Sequence, residues 1–338
     1  MNGRSTLLRT PPADPSKAPI ENALDITELA VLGPDMFTNT REAWHPPGAR
    51  GIFGGVAIAQ CIAAGQRTVQ PGFAVHSCHC YFLLAGSNSI PITYHVERVR
   101  DGRSFATRTV QARQRGACIF TTTMSFVKVS PGRKNISHAS ELPGCRRAGP
   151  PAGPSDGNAD VELTGVEMTE GSPSERRCTH WVKARGKIAG GSDAHVAALA
   201  YMTDWYLLGT IPRIHDLLKP AADQPTGVAE EGKGEGDGPG SATGRGDGIG
   251  GGGAAEGDGK PRIGMMVSLD HSIYFHEPLA IRADEWMFTE MSSPWAGNGR
   301  GVVTSKVFSK DGVLLATCTQ EGVVRLKQEE GGKVKAKL

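Results

Sequence analysis

Residues 54–69, GGVAIAQCIAAGQRTV, are apolar on nearly every side, which indicates a helix buried all round and not one lying on a surface. Four segments follow it: VHSCHCYFLLA (75–85), PITYHVERV (91–99), SFATRTVQAR (104–113) and ACIFTTTMSFVKV (117–129). They are rich in β-branched and aromatic residues, and the turn pairs Asp101-Gly102 and Arg115-Gly116 separate the later ones, so they read as antiparallel strands. The second half repeats this order. Residues 193–208, DAHVAALAYMTDWYLL, read as a helix capped by Asp193 or Ser192 and stopped by Gly209. Strands are expected in VSLDHSIYFH (267–276), WMFTEMS (286–292), GVVTSKVFS (301–309) and VLLATCTQEGVVRL (313–326), with Asp311-Gly312 as a hairpin turn. Placing Gly116 on Gly312 and His79 on His271 sets corresponding residues about 190 to 200 positions apart, and element order carries this repeat, since identity between the halves is slight. The fold class is α+β: two tandem units, each a long buried helix wrapped by a strongly bent antiparallel sheet.

Length and composition agree with two units and extra chain. At ~150 residues per domain, 338 residues suggest about two domains. Lys+Arg 37 against Asp+Glu 35 leaves a net charge of +2, without the basic excess of a nucleic-acid binder. Gly 45 and Pro 22 together make about a fifth of the chain, against an average near 12%. Much of this lies in residues 226–259, with 15 glycines in 34 positions and no apolar periodicity, which read as a disordered insertion. Pro131 to Asn158, rich in Pro, Gly, Ser and Arg, reads as a linker. The expected organisation is a flexible tail (1–20), a first unit (21–130), the linker (131–158), a second unit (159–329) interrupted by an insertion at 219–261, and a tail (330–338). No run approaches the ~20 apolar residues needed to span a bilayer, and prolines occupy the start where a signal peptide needs its apolar region. A soluble, non-secreted protein without membrane insertion is expected. Seven cysteines, an odd number scattered through apolar runs, read as packed thiols and not as a disulfide frame.

Six segments together resemble one family. FGGVAIAQ (53–60), HSCHCYF (76–82), RDGRSFATRTV (100–110), SLDHSIYFHEP (268–278), EMSSPWAG (290–297) and DGVLLATCTQEGVVR (311–325) are similar to the acyl-CoA thioesterase II family, the TesB-like double-hotdog thioesterases. The resemblance runs over both apolar blocks in order and implies that acyl-CoA plus water gives a fatty acid and free CoA, with no metal or organic cofactor. In that family an Asp, a Ser or Thr, and a Gln on the second hotdog hold and activate a water. Carried over by motif, these are Asp270 of LDHSIYFH as general base or water anchor, and Ser293 of SSPWAG and Gln320 of TQEGV as orienting groups. The chemistry needs a base for one water proton, hydrogen bonds to aim the lone pair and donors where the oxyanion develops. Backbone N–H groups at a helix start would supply the last, where Gly54 and Gly55 let a carbonyl approach closely. Relatives commonly read FGGQ where this chain has Val56. Arg103 of RDGRSF is implied as a contact for the phosphates of CoA. Cys78 and Met124 stand opposite Asp270 and Gln320 in the first unit, so one working site per chain is expected.

Other readings compete. A carboxylate in an apolar strand can cap a neighbouring turn, Ser293 before Pro294 can begin one, with Ser292 able to play either part, and Gln320 can satisfy an edge amide. His271 follows Asp270, and alternation sends it to the opposite face as a core histidine. A hotdog enoyl-CoA hydratase would need that Asp and His together and would leave Gln320 without a task; a non-catalytic acyl-CoA binding protein would bind without turnover. Alternation also splits His76, Cys78, His79 and Cys80 between faces, so no metal site is expected. Gly153 to Gly157 matches a nucleophile elbow without its strand and helix, and Gly246, Gly248 and Gly251 meet the dinucleotide spacing because nearly everything there is glycine. The chain ends in Ala336-Lys337-Leu338, close to the Ser-Lys-Leu peroxisomal address, which makes the peroxisomal matrix the expected location and its import receptor a partner. Acyl-chain preference stays open, as does assembly into a homo-oligomer.

Overall fold

The structure, a computed structural model, describes residues 10–129, 136–143, 158–218 and 261–327. The Gly-rich insertion, most of the linker and Ala336-Lys337-Leu338 lie outside these residues. The first half runs α1 (Pro19–Leu24), β1 (Ile26–Glu28), β2 (Met36–Asn39), α2 (Gly54–Gln66), β3 (Phe73–Phe82), β4 (Thr93–Asp101), β5 (Phe105–Gln114) and β6 (Ala117–Lys128). The second runs β7 (Val161–Leu163), β8 (Glu167–Met168), β9 (Cys178–Ala184), α3 (Gly191–Thr203), α4 (Thr210–Ile214), β10 (Ile263–Ser268), β11 (Asp270–Phe275), β12 (Met287–Gly297), β13 (Arg300–Ser309) and β14 (Leu314–Leu326).

All fourteen strands join one antiparallel sheet in the order β1-β2-β4-β5-β6-β3-β11-β14-β13-β12-β9-β7, with β10 added beside β14 and β8 beside β9. The halves meet at β3 and β11, where Ile273 pairs with Cys78. Two hairpins have two-residue loops with both residues left-handed, Arg115-Gly116 (φ 48° and 80°) and Asn298-Gly299 (φ 51° and 73°), the turn whose twist matches that of paired strands. Inside the bent sheet lie α2 and α3, side by side and antiparallel. The start of α2 meets the end of α3, and at the opposite ends Gln66 Nε2 donates to Asp193 Oδ1 (3.4 Å). Ile58, Ile62, Leu199 and Tyr201 are buried between helices and sheet, each large apolar side chain contributing about 1.5–3 kcal/mol by leaving water. Among the described residues six cysteines are free thiols, all buried except Cys118. No helix among the described residues is long and apolar enough to cross a membrane.

Three features differ from the sequence expectations. Helix α3 ends at Thr203, five residues before Leu208, and the chain turns through left-handed Tyr206 (φ 57°) toward α4. Aromatic contacts hold that turn, with Trp205 against Trp44 and Phe53 at 5.3 Å each. Neither Asp193 nor Ser192 caps α3; its N-cap residue is Gly190, and Glu21 of α1 holds the chain leading into it, accepting the N–H groups of Ala189 (3.0 Å) and Gly190 (2.8 Å). The strand expected over 267–276 is two strands. Ser268 pairs with Gly322 and Ser272 with Thr319, so four steps on one strand meet three on the other. Leu269 and Asp270 therefore share Glu321 as partner in a β-bulge. Part of the linker is also docked, Leu142 packing against Trp181, Phe288 and Phe308.

Candidate active site

The bulge decides which side chains meet. On β14, Cys318, Gln320 and Gly322 are buried toward the helices while Thr319 and Glu321 are not. Ser268, opposite Gly322, shares their face; Asp270, one bulge later, shares the outer face with Ser272 and exposed Tyr274. Gly322 has a further task. A Cβ there would stand 2.5 Å from Leu208, so glycine lets the segment after α3 settle onto the sheet. That brings Asp204, the C-cap of α3, within reach of Gln320.

Gln320 is fully buried, and its Nε2 donates to Asp204 Oδ1 and to Ser268 Oγ, both at 2.9 Å. The carboxylate fixes the amide: nitrogen faces it, and Oε1, an acceptor, is buried with no partner among the described residues. Ser268 Oγ accepts from Gln320, which leaves its own proton to donate. Asp204 also accepts the N–H of Gly55 in the first turn of α2. The fit there is tight: a Cβ on Gly54 would lie 2.7 Å from Asp204 Oδ2, and one on Gly55 2.5 Å from the Tyr201 carbonyl oxygen. Burial pushes the Asp204 carboxyl up to about 7, against the Gln320 and Gly55 hydrogen bonds, which favour its charge and lower it. A cavity of about 300 Å³ opens on this group. Its walls include Asp204, Ser268 and Gly54 beside Phe82, Leu83, Met265 and Met266, a polar floor under apolar sides.

The residues expected from sequence divide accordingly. Gln320 is at the centre, with Gly54 and Gly55 beside it. Asp270 is not: its Oδ1 accepts the Glu321 N–H (2.7 Å) across the bulge, the local capping role, on the face away from Gln320. Ser293 is buried two strands from β14, and its hydroxyl donates to the Val302 carbonyl (2.7 Å), closing the bulge in β12 between Ser292 and Trp295. Ser292 bonds Thr304 on the outer face (3.0 Å). Arg103 sits on the exposed β4–β5 turn, outside the cavity walls. His271 faces the core: Thr203 Oγ1 gives its proton to Ala200, so His271 Nε2–H donates to Thr203 (3.0 Å). Burial pushes its pKa down to about 3, and it stands on the other face from Asp270, so no Asp–His pair forms.

Sequence reasoning missed Asp204 and Ser268. Asp204 carried a signal, being a carboxylate at the end of an apolar helix, where the helix dipole disfavours it. Ser268 carried none, because simple alternation puts it on the face of Asp270 and the bulge is invisible in the residues.

The acyl-CoA thioesterase N-terminal domain family matches residues 40–127 and the acyl-CoA thioesterase C-terminal domain family residues 141–324. Over 335 residues the chain is 31% identical to acyl-coenzyme A thioesterase 8 of Mus musculus, covering 90% of this chain and 89% of the relative. It is 25% identical over 378 residues to the peroxisomal acyl-coenzyme A thioester hydrolase 1 of Saccharomyces cerevisiae, covering 91% and 96%. The solved acyl-CoA thioesterase II TesB2 of Mycobacterium marinum matches with a TM-score of 0.65 and 28% identity over 93% of this chain and 99% of that one. With both halves matched in order and the double hotdog shared with solved relatives, the chain belongs to the acyl-CoA thioesterase II family.

Proposed function

We propose that this chain hydrolyses acyl-CoA to a free acid and CoA by direct attack of a water held by Asp204, Ser268 and Gln320. The observation that carries the reading is the buried, unpartnered Gln320 Oε1 beside a carboxyl whose pKa is about 7. A water there donates one hydrogen to Asp204 and the other to Gln320 Oε1, which aims a lone pair outward. As the new C–O bond forms, Asp204 takes the proton, and a base with pKa near ambient pH suits that transfer. The carbonyl π electrons move to oxygen, where the Gly54 N–H at the start of α2 and the Ser268 hydroxyl meet the developing charge. Collapse breaks the C–S bond, and the thiolate leaves and takes the proton from Asp204. Thiolate is a good leaving group, so the site needs no strong general acid and no covalent intermediate. Phe82, Leu83, Met265 and Met266 offer the acyl chain apolar walls.

Thiol release from a saturated acyl-CoA tests this, with Asp204→Asn expected to lower kcat by roughly 100-fold or more. An enoyl-CoA hydratase would release no thiol, and a binding protein would take up acyl-CoA stoichiometrically without turnover. Full activity in Asp204→Asn would remove the carboxylate from the mechanism. For location we propose the peroxisomal matrix, through Ala336-Lys337-Leu338 and the import receptor that reads it. The name of the yeast relative supports this, and a fluorescent fusion that stays punctate after removal of Leu338 would refute it.

A further inference from the structure

We infer that Arg50 binds the phosphate groups of the CoA moiety and holds the substrate acyl end inward, an inference that rests on acyl-CoA being the substrate. Among the described residues, the cavity walls carry two charged side chains, Asp204 on the floor and Arg50 on the loop before α2. Arg50 is exposed and has no hydrogen-bond or ion-pair partner among the described residues. Other arginines have found carboxylates: Arg98 with Asp35 (2.6 Å), Arg176 with Asp216 (2.8 Å) and Arg300 with Glu321 (2.7 Å).

The loop that carries Arg50 is fixed at both ends. Ala49 N–H donates to the Pro46 carbonyl (3.0 Å) and Ile52 N–H to the Gly86 carbonyl (3.0 Å). Between them Gly51 lies so close that a Cβ would stand 2.9 Å from Gly86 O, so the loop is held against residues 85–86. A guanidinium carried on this fixed backbone, its donors without a partner among the described residues, can meet the oxygens of a phosphate with two parallel hydrogen bonds. Charge also sets the direction. Asp204, once ionised, repels phosphate from the floor, while the acyl end is neutral and suits the apolar walls. A substrate with one neutral apolar end and one polyanionic end therefore enters acyl first and leaves its phosphates at Arg50.

The test compares an acyl-CoA with the acyl-pantetheine that lacks every phosphate, and adds calorimetric binding of free CoA and free pantetheine. Arg50→Ala should raise KM for acyl-CoA roughly 10- to 100-fold with kcat little changed, the range for losing a charge-assisted pair. It should leave kcat/KM for acyl-pantetheine unchanged. Arg50→Lys should keep part of the preference, and added salt should shrink the preference in the wild type but not in Arg50→Ala. Equal loss on both esters, or loss on neither, overturns the assignment. Were the wild type to release no thiol, hydrolysis alone would fall. Calorimetry would still decide Arg50: a CoA-over-pantetheine preference that Arg50→Ala abolishes supports it, and any other result refutes it.

Discussion

Asp204 is where opposing electrostatic effects meet, and the balance can be measured. It caps α3 at the negative end of that helix dipole, faces the positive start of α2 through Gly55, and is enclosed by protein. Enclosure wins, taking the carboxyl from an ordinary 3.8 to about 7. Two consequences follow with opposite signs. Activity needs the ionised base, so kcat/KM should rise with pH along a limb of apparent pKa near 7. Stability should run the other way, because the folded state binds this proton more tightly than the unfolded chain. Its contribution is fully present below pH 3.8 and is lost as pH climbs through about 7, by on the order of 4 kcal/mol. Denaturant titrations should show the wild type losing stability relative to Asp204→Asn between pH 4 and 8, and a pH-independent difference would remove the raised pKa. Asp270 gives the contrast. Its carboxyl is also raised, chiefly by burial, but it faces outward and holds the Glu321 N–H. Asp270→Asn should leave kcat within about threefold and cost about 1 kcal/mol for the lost charge-assisted bond. A hundredfold loss there would restore the motif-based assignment.

At the scale of elements, most of the fold was legible because helices and hairpins write themselves in local pattern. The all-round apolarity of 54–69 marks α2, and Arg115-Gly116 marks a two-residue turn that the structure realises with both φ positive. The site was half legible, for a geometric reason. Period-two alternation carries a reading along a strand only while the ladder is unbroken, and the extra residue at Leu269 reverses the faces between Ser268 and Asp270. The end of α3 was hidden likewise, since DWYLL continues an apolar helical pattern and only the contacts of Trp205 and Tyr206 turn the chain away. The start of α2 shows how closely the helices must approach. Gly55→Ala drives a methyl into the Tyr201 backbone, which cannot swing aside, and should cost about 1–3 kcal/mol by overpacking. Gly54→Ala instead presses on the Asp204 carboxylate and the Phe82 ring, both side chains that can rotate. It should keep most of the stability and lose activity by at least tenfold, because the displaced group is the base. Thermal melts beside thiol-release rates separate the two, and equal melts for both variants would contradict this account.

On the scale of the whole molecule, two antiparallel helices within a two-fold-like sheet should make two sites, and the structure does hold two cavities of about 300 Å³. The second lies at the start of α3 and the end of α2, lined by Gly190, Asp193 and Arg67. Each chemical group of the first is replaced there. The C-cap of α2 is Arg67, a cation where α3 ends in Asp204. Met124 takes the place corresponding to Gln320, pairing with Arg108 on β5 as Gln320 pairs with Val303 on β13, and its sulfur fills the space a Cβ on Gly65 would need, 2.5 Å away. The N–H groups leading into α3 are already taken by Glu21, which also accepts from Ala18 (2.9 Å). With Arg67 where α3 has its carboxylate and Met124 where β14 has its amide, this cavity lacks the Asp–Gln pair that holds a water in the first. Calorimetric titration of Asp204→Asn with an acyl-CoA should therefore give one equivalent per chain. Glu21→Ala should cost about 1–2 kcal/mol of stability through loss of the hydrogen bonds to Ala18, Ala189 and Gly190 while leaving kcat and the single equivalent unchanged. A second equivalent, or a fall in kcat in Glu21→Ala with its fold intact, would mean that the first half keeps a working site.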